Sequence, residues 1–293
     1  MLSLLFRALS RLPLAWLHRA GAALGWVIYW CSPTYRRRLR GNLTASGVCA
    51  GAAQRRSLLR QAIAEAGKGV AELAALWFGP EEELSRLVVE CRGWERVQAA
   101  RAAGRGIVFL TPHLGCFEIC ALYGAQRLPL TVLYRPPKLG WLEPLMVAGR
   151  TRTRATAVPA NLKGVRALYR ALARGEAVGL LPDQAPGAGE GVWAGFFGRP
   201  AYTMTLARRL AQASGAAVIL AVAERLPRGR GYRLHLEEIA AQGFDEAALN
   251  RAIEQAVRRW PAQYLWSYNR YKIPAGAPPP TTSQAGGREP EAS

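Results

Sequence analysis

From about residue 88 to residue 260 the hydrophobic period switches repeatedly between two residues and about 3.6, and this alternation leaves the chain few architectures. Strand-like apolar runs occur at LVVEC (87–91), GIVFLT (106–111), LTVLYR (130–135), ATAVP (155–159) and AVGLLPD (177–183). Helical patterns separate or follow them at 94–104, 116–126, 139–150 (interrupted by Pro144), 162–175, 205–215 and 245–260. AVILAVAERL and YRLHLEEI flank Pro227-Arg228-Gly229-Arg230-Gly231, which reads as a hairpin. Repeated strand–helix alternation predicts an α/β fold: a mixed, largely parallel sheet with helices on both faces. Ligands in such folds sit beyond the carboxyl ends of the strands. The segments TPHLG (111–115) and PDQAPG (182–187) fall there. The Gly- and Pro-rich stretch 184–203 reads as a loop, residues 53–78 as one long helical run, and no internal repeat is visible.

Before this region lies an apolar segment, MLSLLFRALSRLPLAWLHRAGAALGWVIYWC, broken by Arg and His. Its longest uncharged run is shorter than the roughly 20 residues of a spanning helix. Arg7, Arg11 and His18 fall within about 40° of one another on a helical wheel, one polar stripe on an apolar helix. That pattern predicts a membrane-associated helix lying in the interface, kinked at Pro13, with Trp16, Trp26, Tyr29 and Trp30 at headgroup level. Arg36, Arg37, Arg38 and Arg40 add a polybasic cluster for anionic lipid. Arg7 and Arg11 break up any secretory h-region. The expected division is a membrane-associating segment over 1–35, a catalytic domain over 36–274, and a disordered tail over 275–293.

The charge fits such a surface. Lys and Arg number 39 against 20 Asp and Glu, for a net charge of +19, which implies anionic partners. No nucleic-acid recognition motif occurs, and an apolar N-terminus has no use on nucleic acid. A non-enzymatic basic protein binding membrane or nucleic acid is therefore the remote alternative. The five cysteines, Cys31, Cys49, Cys91, Cys116 and Cys120, form no CxxC pair, so neither a disulfide framework nor a zinc site is expected. A reducing, cytosol-facing location fits them.

His113 is one of three histidines and follows a buried-looking strand and a proline. Glu118 stands five residues on, and on one straight helix the two would be about 140° apart. With His113 on the loop and Glu118 in the first turn of the next helix they can meet. A carboxylate beside an imidazole fixes its tautomer and stabilises the imidazolium that forms on proton uptake. That pair can deprotonate a hydroxyl for attack on an acyl group. A packed or helix-capping histidine would show the same spacing.

Taken in order, TPHLGCFE, LYRPPK, GRTR, LPDQ, FFGRPAYT and PAQYLW–NRYK resemble the late (secondary) acyltransferases of lipid A synthesis, the lauroyl/myristoyl type within the lysophospholipid acyltransferase superfamily. The resemblance runs to about Lys272. It implies transfer of a fatty acyl chain from acyl carrier protein to a hydroxyl of an acylated lipid A precursor, at the cytoplasmic face of the bacterial inner membrane, with no cofactor or metal. It makes His113 the general base and Glu118 its orienting acid. Arg135, Arg150 and Arg152 would bind phosphate or stabilise charge on the thioester oxygen. Asp183 and Gln184 sit at the same face, Asp183 placed to hold one of these arginines. Another glycolipid or an aminolipid as acceptor keeps the same chemistry. LPDQAPG replaces the Pro-Glu-Gly-Thr signature of the glycerophosphate branch, and Cys116-Phe117 stand where the family often has Asn-Trp.

Overall fold

The protein is described by a computed structural model covering residues 2–137 and 139–280. Pro13 separates α1 (Leu2–Leu9) from α2 (Leu14–Cys31), because a proline lacks the N–H that the helix ladder needs. α3 (Pro33–Ala45) follows, its N-terminus capped by the Ser32 hydroxyl, which accepts the Tyr35 N–H at 3.3 Å. The expected run over 53–78 divides into α4 (Ala52–Ala71) and α5 (Leu73–Phe78), and α6 (Glu81–Leu87) leads into the sheet region.

That region runs β1 (Val88–Arg92), α7 (Trp94–Ala102), β2 (Ile107–Leu110), α8 (Phe117–Ala125), β3 (Leu130–Tyr134), α9 (Glu143–Arg150), β4 (Ala155–Pro159), α10 (Leu162–Ala173) and β5 (Ala177–Leu180). Then come β6 (Gly191–Phe196), β7 (Arg199–Met204), α11 (Leu206–Ser214), β8 (Ala217–Arg225), β9 (Tyr232–Ile239) and α12 (Glu246–Arg259). Pro144 sits in the first turn of α9 and starts that helix instead of interrupting it. Asn161 and Asp245 cap α10 and α12 with their side-chain oxygens.

Seven strands form one sheet in the order β1-β9-β8-β2-β5-β3-β4. β8 and β9 pair antiparallel as the expected hairpin, and every other pairing is parallel. Alternate residues of the central strands feed two cores. Val108, Leu110, Val178, Leu180, Val218 and Leu220 face α10, α11, α12, α3 and α4. Ile107, Phe109, Ala177, Ala217 and Ile219 face the side covered by α7 and α8. A strand buried on both faces reads as an unbroken apolar run, as these do.

The stretch expected as a loop is in fact largely a hairpin, β6–β7, in an antiparallel ladder of its own. Its turn is Phe197-Gly198, both at positive φ (48° and 69°), as a two-residue type I′ turn requires. Glycine and proline around it obscured the strand signal of Val192, Trp193, Phe196 and Tyr202.

The N-terminal stripe also differs from expectation. His18 is buried at 5% exposure, facing α4, and shares that face with Leu14, Leu17, Gly21, Gly25 and Tyr29. The wheel angle between Arg7 and His18 carries no meaning across the break at Pro13. α2 and α4 cross backbone to backbone: a Cβ on Gly25 would lie 2.2 Å from the Ile63 carbonyl oxygen, and one on Gly67 2.0 Å from that of Gly21. The opposite face of α2 exposes Trp16, Leu24, Val27 and Trp30. No helix among the described residues is long and apolar enough to cross a membrane. Of the tail expected from residue 275, residues 281–293 lie outside the described residues, and the Trp193 indole donates to the Pro278 carbonyl at 2.8 Å.

Candidate active site

Two adjacent parallel strands end alike. β2 and β5 pair in register, Leu110 opposite Leu180, and each continues through one residue and a proline, Thr111-Pro112 and Leu181-Pro182. The Thr111 N–H still donates to the Leu180 carbonyl at 2.9 Å. Pro112 and Pro182 have no N–H to extend the ladder. Three residues past the paired leucines, the register sets His113 opposite Asp183.

The two residues are joined twice. His113 Nδ1 lies 2.8 Å from Asp183 Oδ1, and the His113 backbone N–H donates to Oδ2 at 3.0 Å. Because a carboxylate only accepts, Nδ1 carries the proton and Nε2 is the basic nitrogen. Nε2 meets the Gln184 side-chain amide at 3.2 Å. Asp183 is 3% exposed. Burial pushes its carboxyl up, but His113 and its hydrogen bonds more than offset that, holding it below the ordinary carboxylate value. The His113 side chain keeps 12% of its surface exposed and lies against Phe117, ring centroids 4.8 Å apart. The segment after α12 supports both loops: Leu265 N–H donates to the His113 carbonyl at 3.0 Å, and Ala185 N–H donates to the Tyr268 hydroxyl at 3.0 Å.

Glu118, expected beside the imidazole, is engaged elsewhere. It lies buried in the first turn of α8 and accepts from Arg150 Nε at 3.0 and 3.1 Å, from Arg150 Nη2, and from the Trp77 indole at 3.3 Å. Burial lowers the Arg150 guanidinium pKa, but Glu118 raises it further, for a net rise. Arg152 donates to the carbonyls of Leu76 and Gly79 and so caps the end of α5. Arg135 is exposed just past the carboxyl end of β3. Asp183 hydrogen-bonds a histidine, not one of the three arginines. Among the described residues, no three His, Cys, Asp or Glu side chains converge to hold a metal ion.

A buried acid–imidazole pair at paralleled strand ends, its second ring nitrogen met only by the Gln184 amide, suits proton transfer to and from a hydroxyl. The family profile described as "Bacterial lipid A biosynthesis acyltransferase" matches residues 2–273. The chain belongs to that family. It is 28% identical to the lipid A biosynthesis lauroyltransferase of Escherichia coli (strain K12) over 92% of this chain and 89% of that protein. It is equally 28% identical to the lipid A biosynthesis palmitoleoyltransferase of the same strain, over 75% and 73%. A lipid A biosynthesis acyltransferase of Haemophilus influenzae is 27% identical over 59% and 56%.

As a lipid A acyltransferase, the chain carries further site residues that sequence reasoning did not find. Trp77 reaches Glu118 from α5, and Tyr268 holds the loop of Asp183 and Gln184. Neither has a local motif, since each meets its target only through tertiary packing. The His113–Asp183 pairing did have a signal: two apolar runs of equal length, each followed by one residue, a proline and a titratable residue.

Proposed function

We propose that this acyltransferase moves a fatty acyl chain from the thioester of acyl carrier protein to a hydroxyl of an acylated lipid A precursor. The observation that carries this reading is His113, whose Nδ1–H is fixed on Asp183 and whose Nε2 is left to take a proton. The acceptor hydroxyl takes the place of the Gln184 amide at Nε2. As its oxygen attacks the thioester carbonyl, its proton passes to Nε2, and buried Asp183 stabilises the imidazolium. Collapse of the tetrahedral oxyanion re-forms the carbonyl and expels the carrier thiolate, which takes the proton back from His113. Glu118 and Arg150 fix the start of α8 beside this centre. Arg135, exposed at the same end of the sheet, supplies a cation for an acceptor phosphate. The names of the relatives, lauroyltransferase and palmitoleoyltransferase of lipid A biosynthesis, support a fatty acyl group as the one transferred and a lipid A precursor as the acceptor.

The acceptor lies in a bilayer, and the surface of α2 suits one. Trp16 and Trp30 are 62% and 64% exposed, with Leu24 and Val27 on the same face. Arg37, Arg38 and Arg40 are exposed on α3 directly after it. Each basic residue near an anionic surface adds about 1 kcal/mol of attraction. These features support a position on anionic lipid, at the cytoplasmic face of the inner membrane. The test is mass spectrometry of lipid A from cells with and without the gene. Loss of the gene removes one acyl group, and purified enzyme restores it from acyl carrier protein thioester. Unchanged lipid A, with no transfer by the purified enzyme, overturns the reading.

A further inference from the structure

Between His113 and Glu118 the chain makes a sharp loop, and its shape is imposed from outside. Gly115 sits at a φ of +63°, so close to β8 that a Cβ there would lie 1.9 Å from the Ala223 carbonyl oxygen. The Gly115 N–H donates to the Gln263 carbonyl at 3.0 Å, and the Cys116 N–H to the Ala223 carbonyl at 2.9 Å. The Gly115 carbonyl accepts a hydrogen bond from Arg225 Nη2 at 3.2 Å. Arg225 is 4% exposed; its backbone N–H and carbonyl pair with the Gln263 side chain, and its remaining side-chain bonds lead away from the site. Nε and Nη2 donate to Glu72 at 2.9 and 2.6 Å, and Nη1 donates to Glu65 at 2.7 Å. Glu72 in turn accepts from the Tyr232 hydroxyl at 3.0 Å and lies 3.3 Å from His18 Nε2 on α2.

We infer that Arg225, set by Glu72, is a positioning residue of the acyl transfer: its bond to the Gly115 carbonyl holds His113 and Glu118, which flank that glycine, in their working geometry. The inference rests on the function proposed above. A left-handed residue pressed against a strand gains its fixed place from bonds made around it, and Arg225 makes the one side-chain bond to its carbonyl. The carboxylate beneath it spans α2, α4 and β9, so the loop is anchored to the rigid part of the fold and to the membrane-facing helix together. Misplacement of reacting groups by about 1 Å from a remote substitution costs about 10²-fold in rate. Glu72 and Arg225 touch no reacting atom, so their effect is on the fraction of correctly placed loops and not on substrate affinity.

The experiment uses the full chain in detergent, with Arg225→Lys and Tyr232→Phe as variants. Lysine keeps the charge beside Glu72 but cannot reach Glu65, Glu72 and the Gly115 carbonyl at once. Tyr232→Phe keeps both charges and removes one bond to Glu72, so it is the milder variant and remains informative should Arg225→Lys fold poorly. Hydrogen–deuterium exchange is read on peptides covering 113–119 and, as controls, β2 and β5. Steady-state kinetics are read per folded molecule. The expected result is faster exchange confined to 113–119, with kcat lowered about 10- to 100-fold for Arg225→Lys, less for Tyr232→Phe, and KM unchanged for both substrates. Exchange at 113–119 equal to wild type in both variants overturns the inference. So does faster exchange with unchanged kcat, which would leave Arg225 a structural residue only. A wild-type enzyme that transfers no acyl group overturns the proposed function instead, and the exchange measurement still decides whether Arg225 holds the loop.

Discussion

Asp183 and Glu72 are both buried carboxylates that face a histidine, at 2.8 Å from His113 Nδ1 and 3.3 Å from His18 Nε2. They differ in what else surrounds them. Glu72 also holds two nitrogens of Arg225 and the Tyr232 hydroxyl, and both its own side chain and that of His18 are almost wholly covered. Around Asp183 the imidazole keeps one nitrogen at the rim, met only by the amide of Gln184. A carboxylate–histidine pair therefore makes a lock in one place and the proposed reactive centre in the other. Burial of an acid beside a histidine does not by itself point to a site; here the pointer is a ring nitrogen at the rim, at the carboxyl ends of parallel strands, met by one amide alone.

The sharpest break of this comparison is paired substitution of the two histidines. His113→Ala removes the proposed base and is expected to lower turnover by about 10² to 10⁴ with circular dichroism and melting temperature near wild type. His18→Ala is expected to leave turnover per folded molecule far less affected. Equal kinetic losses in the two variants would erase the distinction between lock and centre.

Next comes Asp183→Asn. It keeps the volume but offers an amide where Nδ1–H needs an anion, and a turnover loss of about 10³-fold is expected. The Asp183 pKa is depressed in the fold, so the carboxylate's stabilisation is present above its unfolded pKa and is lost as pH falls through the folded one. Activity near neutral pH therefore needs no titration of Asp183. Glu118→Gln is the informative companion, since it loosens Arg150 and leaves the His113–Asp183 pair intact. A larger loss for Glu118→Gln than for Asp183→Asn would restore Glu118 as the acid that His113 depends on.

This is also where sequence and structure part. The strands and helices of the seven-stranded sheet region, the hairpin at 227–231 and the candidacy of His113 were legible, because each is written in local periodicity or a local break; the β6–β7 hairpin was not. The partner of His113 was sought five residues away, whereas β-sheet register supplies it from 70 residues away. The parallel pairing of β2 with β5 is not a local property. The same reason explains His18, placed on an outward stripe by a wheel that ran through Pro13, and Arg152, whose carbonyl partners on α5 no spacing could announce. Only the positive-φ turn Phe197-Gly198 was a local signal passed over, hidden by the glycines and prolines near it.

For the lock the expected effect is on stability. Burial raises the Glu72 carboxyl, yet Arg225 and His18 bring it down to about 2. A depressed folded pKa stabilises above the unfolded value, and that contribution fades as pH falls from about 4.5 toward 2. Glu72→Gln leaves Arg225 with Glu65 as its one carboxylate, and a loss of about 3 kcal/mol is expected, or roughly 6–12 °C in melting temperature for a chain of this size. The variant should also lose the part of its acid unfolding that falls between those pH values. A Glu72→Gln protein that melts like wild type at neutral pH would show the cluster to be a neutral substitute for apolar packing.

The smallest effect belongs to the outer face of α2, opposite the face that carries His18. Gly21 and Gly25 press one side of the helix onto Gly67, so the helix is held by the fold and its other side is free to enter a lipid surface. Trp16 and Trp30 are mostly exposed, so replacing them costs the fold little, while each inserted indole adds roughly 1 kcal/mol to membrane binding. Trp16→Ser with Trp30→Ser should therefore lower sedimentation with anionic vesicles by about tenfold or more in apparent affinity. Transfer to a vesicle-embedded acceptor should fall with it, and transfer to the same acceptor in detergent micelles should not. Raising salt should weaken binding further in the double variant, because the arginines of α3 then carry a larger share. Should the double variant sediment like wild type, the face of α2 is not the contact, and its tryptophans belong against another part of the protein's surroundings. Should micellar activity fall as well, the outer face of α2 acts on His113 through His18 and Glu72, and its tryptophans serve the positioning of the 113–118 loop as well as membrane contact.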